Sequence, residues 1–284
     1  MSVKTTLTRR TLLGGLGASA LTAGILSSAT ASAQGVKQPL KLDVPYVPTP
    51  QKIVDRMLTI AKVSPEDFVM DLGCGDGRML VTATSKFGAK GGYGVDLNPV
   101  RIKEATENAR IAGVSDKVKF EIRDLFTMSI AQANVLTMYL LPDVNLRLRP
   151  RILDEMKPGS RIVSHDFNMD DWRADYFEAE DGHDIYFWVV PAKVGGDWSV
   201  RADGVDYTLS LRQRFQYFDG VLRDDKSEYT IRMGRIVGER LNFTAEAATG
   251  KALMFSGRID GDTMKFDPAA VALPVNDWSA TRKK

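Results

Sequence analysis

Cysteine and histidine are nearly missing from this chain, whose 284 residues hold one cysteine and two histidines. A single thiol excludes an intrachain disulfide and a Cys-rich zinc site, and two imidazoles argue against a His-rich metal site. Neither charge is in surplus: 38 basic and 36 acidic residues leave a formal charge of +2, so no nucleic acid or other polyelectrolyte partner is implied. Beyond the N-terminal segment no apolar run is long enough to span a bilayer, which excludes stable membrane insertion by that route. What is present, 44% hydrophobic and 26% charged residues, is the composition of a globular protein with room for one large domain or two smaller ones.

The first 33 residues lack any acidic side chain. They carry Lys4, Arg9 and Arg10, then a mildly apolar run through Leu16, Leu21, Ile25 and Leu26, and close on Ala31-Ser32-Ala33. That ending is the small-x-small pattern a signal peptidase reads. An arginine pair ahead of a Gly- and Ala-rich core resembles a twin-arginine export signal, a route that carries folded proteins. The expectation is an exported, periplasmic protein. The bland alternatives are a disordered basic tail or an uncleaved anchor, which would leave the chain cytoplasmic or tethered to a membrane. Gly14, Gly15, Gly17 and Gly24 make a poor spanning helix. Loss of the three basic residues would take the formal charge from +2 to −1.

Residues 34–50 are a lead-in with Pro39, Pro45, Pro48 and Pro50, too many for a helix or a central strand. Thr49-Pro50 reads as an N-cap followed by proline at the first helical position, with Ile53, Val54, Met57, Leu58 and Ala61 at helical spacing behind it. From residue 67 the pattern alternates. Strands are expected at 67–72, 92–96, 118–122, 133–140 and 161–165, and helices at 78–87, 99–112 and 146–156. Such alternation calls for a mostly parallel sheet covered on both faces, a doubly wound, Rossmann-like α/β fold over residues 51–192.

The character changes after about residue 184. Tyr186 to Val190 is strand-like, and residues 193–284 show short alternating runs broken by glycines, the pattern of an all-β small barrel or curved sheet. One internal echo supports this. Gly234-Arg235-Ile236-Val237-Gly238 with Phe243 matches Gly257-Arg258-Ile259-Asp260-Gly261 with Phe266, which predicts two similar hairpins. Trp188, Trp198 and Trp278 read as core aromatics, and Arg282-Lys283-Lys284 as a solvated tail.

The most informative stretch is Asp71-Leu72-Gly73-Cys74-Gly75-Asp76-Gly77-Arg78, where a strand feeds a helix and an α/β sheet offers a crevice for a nucleotide-like ligand. A dinucleotide fingerprint has G-x-G-x-x-G and a pyrophosphate at the helix N-terminus. Here the spacing is G-x-G-x-G behind an aspartate. A carboxylate at Asp71 repels a pyrophosphate but suits an ammonium or sulfonium. Asp96, ending the second strand, is placed to accept from both hydroxyls of a ribose, and Asp124, after the third, from an adenine amino group. Any one of these aspartates is as easily a cap or turn residue. Three at consecutive strand ends fit S-adenosylmethionine far better than NAD.

These residues resemble the class I, seven-strand S-adenosylmethionine-dependent methyltransferases over about residues 44–190. The resemblance implies that Asp71, Gly73, Cys74, Gly75 and Gly77 line the methionine and ribose part of the cofactor. It implies that Asp96 and Leu97 hold the ribose, and that Asp124, Leu125 and Phe126 flank the adenine. A narrower set looks like the protein-lysine methyltransferases related to the ATP synthase c-subunit enzyme: Pro45 to Pro50, the Asp71-to-Arg78 loop, Asp124-Leu125-Phe126, Tyr139-Leu140-Leu141-Pro142 and Ser164-His165-Asp166-Phe167. The methyl acceptor it implies is an amine such as a protein lysine. The export signal and the β-rich tail depart from that pattern.

Methyl transfer needs a lone-pair donor held in line with a sulfonium-bound carbon and shielded from water. Tyr139, after the fourth strand, is the candidate for orienting the acceptor; its bland reading is a core tyrosine. His165, ending the fifth strand, is a candidate general base or a hydrogen-bonded structural residue. Tyr46 and Thr49 are expected to form a lid over the cofactor, and Cys74 to be there for its size. The N/D-P-P-Y/F signature of DNA and glutamine amide methylation is absent. The competing readings are a small-molecule methyltransferase, a binding protein without turnover, and an NAD-dependent oxidoreductase, the last disfavoured by Asp71.

Overall fold

The computed structural model describes residues 46–268, 275 and 277–284. The expected export signal and the lead-in up to Pro45 lie outside the described residues.

Helix α1 (Gln51–Ile60) buries Ile53, Val54, Met57 and Leu58 on one face. Its N-cap is Pro50 rather than Thr49, and no side chain caps it. The Thr49 hydroxyl is engaged elsewhere, on His165 Nδ1 at 3.1 Å, so it cannot serve the helix. Then follow β1 (Phe68–Leu72), α2 (Arg78–Ser85), β2 (Gly91–Asp96), α3 (Pro99–Ile111), β3 (Val118–Ile122), β4 (Val135–Met138), α4 (Pro142–Glu155) and β5 (Arg161–His165). These match the expected alternation, with β4 shorter and α4 a turn longer at its start. Pro142 sits in the first turn of α4, where its missing N–H costs nothing.

The strands run in the order β3-β2-β1-β4-β5 and are all parallel. Every residue of β4 is buried, as are Val69 to Leu72 of β1, because helices cover both faces. Two antiparallel strands complete the sheet: β7 (His183–Val189) pairs with β5, and β6 (Tyr176–Glu180) pairs with β7 at the edge. Strand β7 covers most of the expected run at 186–190. Strand β6 was not foreseen: its Tyr-Phe-Glu-Ala-Glu sequence is largely exposed and carries no burial pattern. Trp188 is fully buried in this sheet's core against Trp172.

Eight strands form a closed antiparallel barrel: β8 (Gly196–Ala202), β9 (Val205–Arg214), β10 (Tyr217–Arg223), β11 (Glu228–Val237), β12 (Arg240–Ala247), β13 (Ala252–Asp260), β14 (Thr263–Phe266) and β15 (Trp278–Arg282). Closure resolves the expectation of a barrel or a curved sheet in favour of the barrel. Its interior is filled by side chains, among them Trp198, Phe218, Phe243, Phe255 and Trp278, so it is a packed core. The internal echo is the pair of hairpins β11–β12 and β13–β14. Gly238 and Gly261 take positive φ in the two turns. Gly234 and Gly257 each lie against an aromatic ring: a Cβ would come within 2.2 Å of Phe218 or 2.4 Å of Trp278.

The barrel packs on the α/β sheet through specific contacts. Ala192 N–H donates to Gly238 O at 2.8 Å, Gln216 Nε2 donates to Arg173 O at 2.7 Å, and Arg214 pairs with Asp171 at 2.7 Å. Phe215 stacks on Trp172 with ring centroids 5.7 Å apart.

Candidate active site

The C-terminal ends of β1, β2, β3 and β4 open onto one cleft, the place an open parallel sheet offers a ligand. Tyr46, Thr49, Asp71, Gly73, Cys74, Gly75, Asp96, Leu97, Asp124, Leu125 and Tyr139 all line it. Gly77 and His165 do not. Gly77 caps α2 with φ +77, and a Cβ there would meet Phe120 at 2.7 Å and Ala105 at 2.8 Å. It therefore lets α2 pack closely on β3 and α3, and the expected place on the cofactor's wall goes to its neighbours. Phe126 also turns away, lying under the Arg147 guanidinium at 3.8 Å.

The loop is held by its own backbone. Gly73 N–H and Cys74 N–H both donate to Val95 O at 2.9 Å, and Gly75 N–H donates to Asp96 Oδ2 at 3.0 Å. Asp96 Oδ1 accepts from Asn98 N–H at 2.8 Å, which fixes the carboxylate plane. Asp124 Oδ1 accepts from Phe126 N–H at 2.8 Å. Each carboxylate oxygen has a second lone pair, so these bonds orient the groups without exhausting them.

Asp71 is the electrostatic anomaly. It is buried, and burial pushes its carboxyl up to about 7, against the stabilising bond from Thr137 Oγ1 to Oδ1 at 2.7 Å. Asp96 and Asp76 push it the same way. No cationic side chain pairs with Asp71 among the described residues. Burial also pushes the Cys74 thiol well up, leaving a neutral, small side chain whose Sγ packs on Gly94, 3.0 Å from where a Cβ there would be.

Tyr46 closes the cleft from the lead-in. Its ring edge lies where a Cβ on Gly75 would be, 2.6 Å away, and the Arg101 guanidinium sits 4.3 Å from its ring centroid. Arg78 ties the same segment down: it donates to Thr49 O at 2.8 Å and pairs with Asp76 at 2.6 Å. Arg78 was legible only as the end of the glycine loop and Arg101 not at all, because a surface arginine and a clamp on a neighbouring segment read alike in a sequence.

Opposite the loop, Tyr139 Oη donates to Asp166 Oδ2 at 3.0 Å; burial first, then this bond, raise its phenol to about 12. His165 is fully buried behind Tyr139, ring centroids 3.9 Å apart. Its Nδ1 meets Thr49 and its Nε2 meets His183 Nδ1 at 2.9 Å. Burial lowers the His165 imidazole to about 4, so it is neutral near pH 7. It lies off the cleft wall. Asp166 and His183 were missed as site residues, although both histidines of the chain meet here. One ring nitrogen of each and a carboxylate oxygen of Asp166 lie within 4.8 Å of one another, close enough to hold a metal ion, and they satisfy one another by hydrogen bonding without one.

A buried carboxylate without a cation, a glycine loop tight against its lid and two further aspartates at adjacent strand ends fit a cationic adenosyl ligand. The comparisons with known proteins agree. The chain is 46% identical over 151 residues to a protein-lysine N-methyltransferase of Saccharolobus islandicus, covering 52% of this chain and 94% of that protein. A crystal structure of an RNA methyltransferase from Salinibacter ruber, in complex with S-adenosyl-L-homocysteine, matches with TM-score 0.51 and 44% identity, over 52% of this chain and 96% of that one. The mouse adenine nucleotide translocase lysine N-methyltransferase is 33% identical over 135 residues, 48% of this chain and 58% of that protein. The chain is a class I S-adenosylmethionine-dependent methyltransferase. Within that class it belongs to the family of the protein-lysine methyltransferases, and residues 71–176 match the model of the ANTKMT methyltransferase domain.

Proposed function

We propose that this methyltransferase acts on the side-chain amine of lysine in a protein. Bound S-adenosylmethionine supplies an electrophilic methyl group; everything else falls to the chain. Asp71 receives the cationic end of the cofactor, Gly73 and Gly75 allow its close approach, Asp96 and Leu97 hold the ribose, and Asp124 with Leu125 holds the adenine. Tyr46 and Thr49 cover it and exclude water. Tyr139 orients the acceptor from the opposite wall.

The observation that carries the amine over an RNA acceptor is the carboxylate behind Tyr139. A ribose-phosphate backbone approaching Tyr139 would meet Asp166, which a phosphodiester avoids and an ammonium seeks. Two relatives, from Saccharolobus islandicus and mouse, are lysine N-methyltransferases, which supports the same reading, whereas the Salinibacter ruber relative is an RNA methyltransferase. We also propose export to the periplasm by a twin-arginine route, on the arginine pair, the apolar run and Ala31-Ser32-Ala33 of the first 33 residues; a chain whose signal is not used or not cleaved would be cytoplasmic or membrane-tethered.

The test is transfer of labelled methyl groups from S-adenosylmethionine into an extract, followed by separation of protein from RNA. Label in acid-stable methyl-lysine is expected, and label confined to RNA overturns the reading. Calorimetry with S-adenosylmethionine and with NAD should show binding of the first alone.

A further inference from the structure

Both histidines of the chain, an aspartate and a tyrosine form one hydrogen-bonded circuit that starts and ends on the cleft wall. It runs from Thr49 Oγ1 to His165 Nδ1 at 3.1 Å, from His165 Nε2 to His183 Nδ1 at 2.9 Å, from His183 Nδ1 to Asp166 Oδ2 at 3.4 Å, and from Asp166 Oδ2 to Tyr139 Oη at 3.0 Å. Thr49 and Tyr139 line the cleft. The side chain of His165 is 0% exposed, whereas those of Asp166 and His183 are 26% and 30% exposed. The circuit thus has two ends at the reacting space and one opening to water.

The backbone at Asp166 is built to keep the carboxylate there. Its φ is +59, a left-handed conformation that aspartate adopts more readily than most side chains do. Asp166 N–H donates to Asp184 O at 2.7 Å, and Asp184 N–H returns a bond to Asp166 Oδ1 at 3.0 Å, which pins the residue to β7. Aromatic rings flank the carboxylate's tyrosine partner: the Phe167 centroid is 6.1 Å from that of Tyr139, and that of His165 is 3.9 Å away. A carboxylate beside aromatic rings is a seat for an ammonium.

We propose that Asp166 and Tyr139 form the subsite for the acceptor's ammonium group and that His183 is the outlet for its proton. This deepens the lysine reading and rests on it. The ammonium N–H bond breaks and leaves its electron pair on nitrogen as the attacking lone pair. The proton passes by way of Asp166 and solvent water to the free lone pair on Nε2 of His183, which then returns it to bulk water. Nδ1 of His183 keeps its own proton, directed at His165 Nε2 and Asp166 Oδ2, and His165 keeps its proton on Nδ1, donating to Thr49 Oγ1. The ionisable groups around His183 are Asp166 and His165 from the β5 side, with Tyr139 behind them, and Asp184 next along its own strand. Glu180 lies across the β6–β7 pair, and both it and Asp181 are paired with Lys52 of α1.

The chain's two histidines make the test direct. Full-length protein carrying ¹⁵N-histidine and saturated with S-adenosylhomocysteine gives two imidazole spin systems, which His183→Gln assigns. Titration with N-α-acetyl-L-lysine methylamide is expected to move the His183 signals, and the same norleucine compound is expected to leave them in place. Asp166→Asn keeps the shape and tolerates the left-handed backbone, and should weaken the lysine probe about tenfold or more through loss of a charge-assisted contact. His183→Gln should leave probe affinity within about twofold and move the rising limb of the pH–rate profile to higher pH. An unmoved His183 in the wild type, or equal probe affinity in Asp166→Asn, overturns the proposal, and so does a divalent ion bound at one per chain to both imidazoles. Methyl-lysine formed by an enzyme whose Asp166→Asn form binds the probe normally would sink the subsite alone. Label confined to RNA, with both rings unmoved by the probe, would sink the lysine reading as well.

Discussion

The buried carboxylate of Asp71 makes the ligand-free protein less stable as pH rises, and Asp71→Asn should remove that dependence. A carboxyl raised from 3.8 to about 7 on folding binds its proton more tightly in the native state than in the unfolded one. Stability is therefore lost with rising pH, from about pH 4 until the group ionises in the native state near 7. Integrated to pH 8 the loss is about 4 kcal/mol, roughly half of it falling between pH 5.5 and 8. Asparagine can still accept from Thr137 and carries no charge at any pH. Urea melts of both proteins at pH 5.5 and 8.0 should show the wild type losing about 2 kcal/mol more than the variant over that interval. A bound cofactor cation offsets the buried charge, so S-adenosylmethionine should shrink the difference in the wild type and bind the variant at least about tenfold more weakly. Equal pH dependence in the two ligand-free proteins would refute the claim that Asp71 is a buried, uncompensated charge.

Two other substitutions separate the cleft from the barrel. Gly75→Ala puts a methyl 2.6 Å from the Tyr46 ring on a backbone with φ +51. Calorimetry should record a loss of cofactor affinity of about tenfold or more, with a stability cost of about 1–3 kcal/mol. Gly234→Ala drives a Cβ to 2.2 Å from Phe218. It should cost the barrel about 1–3 kcal/mol by overpacking, read by tryptophan fluorescence during urea unfolding, while cofactor affinity stays unchanged.

The parallel strands were legible because burial on both faces leaves continuous apolar runs, such as Val69-Met70 and Val135-Leu136, between glycines and caps. The cofactor cleft was legible for a related reason: Asp71, Asp96 and Asp124 fall at strand ends, where a side chain has no role in the core. Strand β6 was not legible, since an exposed edge strand has no periodicity to read. Gly77 lies off the cleft wall, and the motif could not show this, because a glycine needed for packing and one needed beside a ligand look alike in it. The circuit through His183 was hidden by distance. His165 and His183 lie on neighbouring antiparallel strands, and only the β5–β7 pairing brings them together. Their scarcity was the available clue, and it was read as evidence against metal rather than as a pair with a common purpose.

Closing the C-terminal strands into a ring has a consequence for whatever the enzyme recognises. Among the described residues each of its strands has a hydrogen-bonded neighbour on both sides, which leaves little unpaired backbone there to lend to an extended peptide. Its described interior is filled by side chains. Docking by strand addition is the easier course at β3 and β6, the two margins of the other sheet.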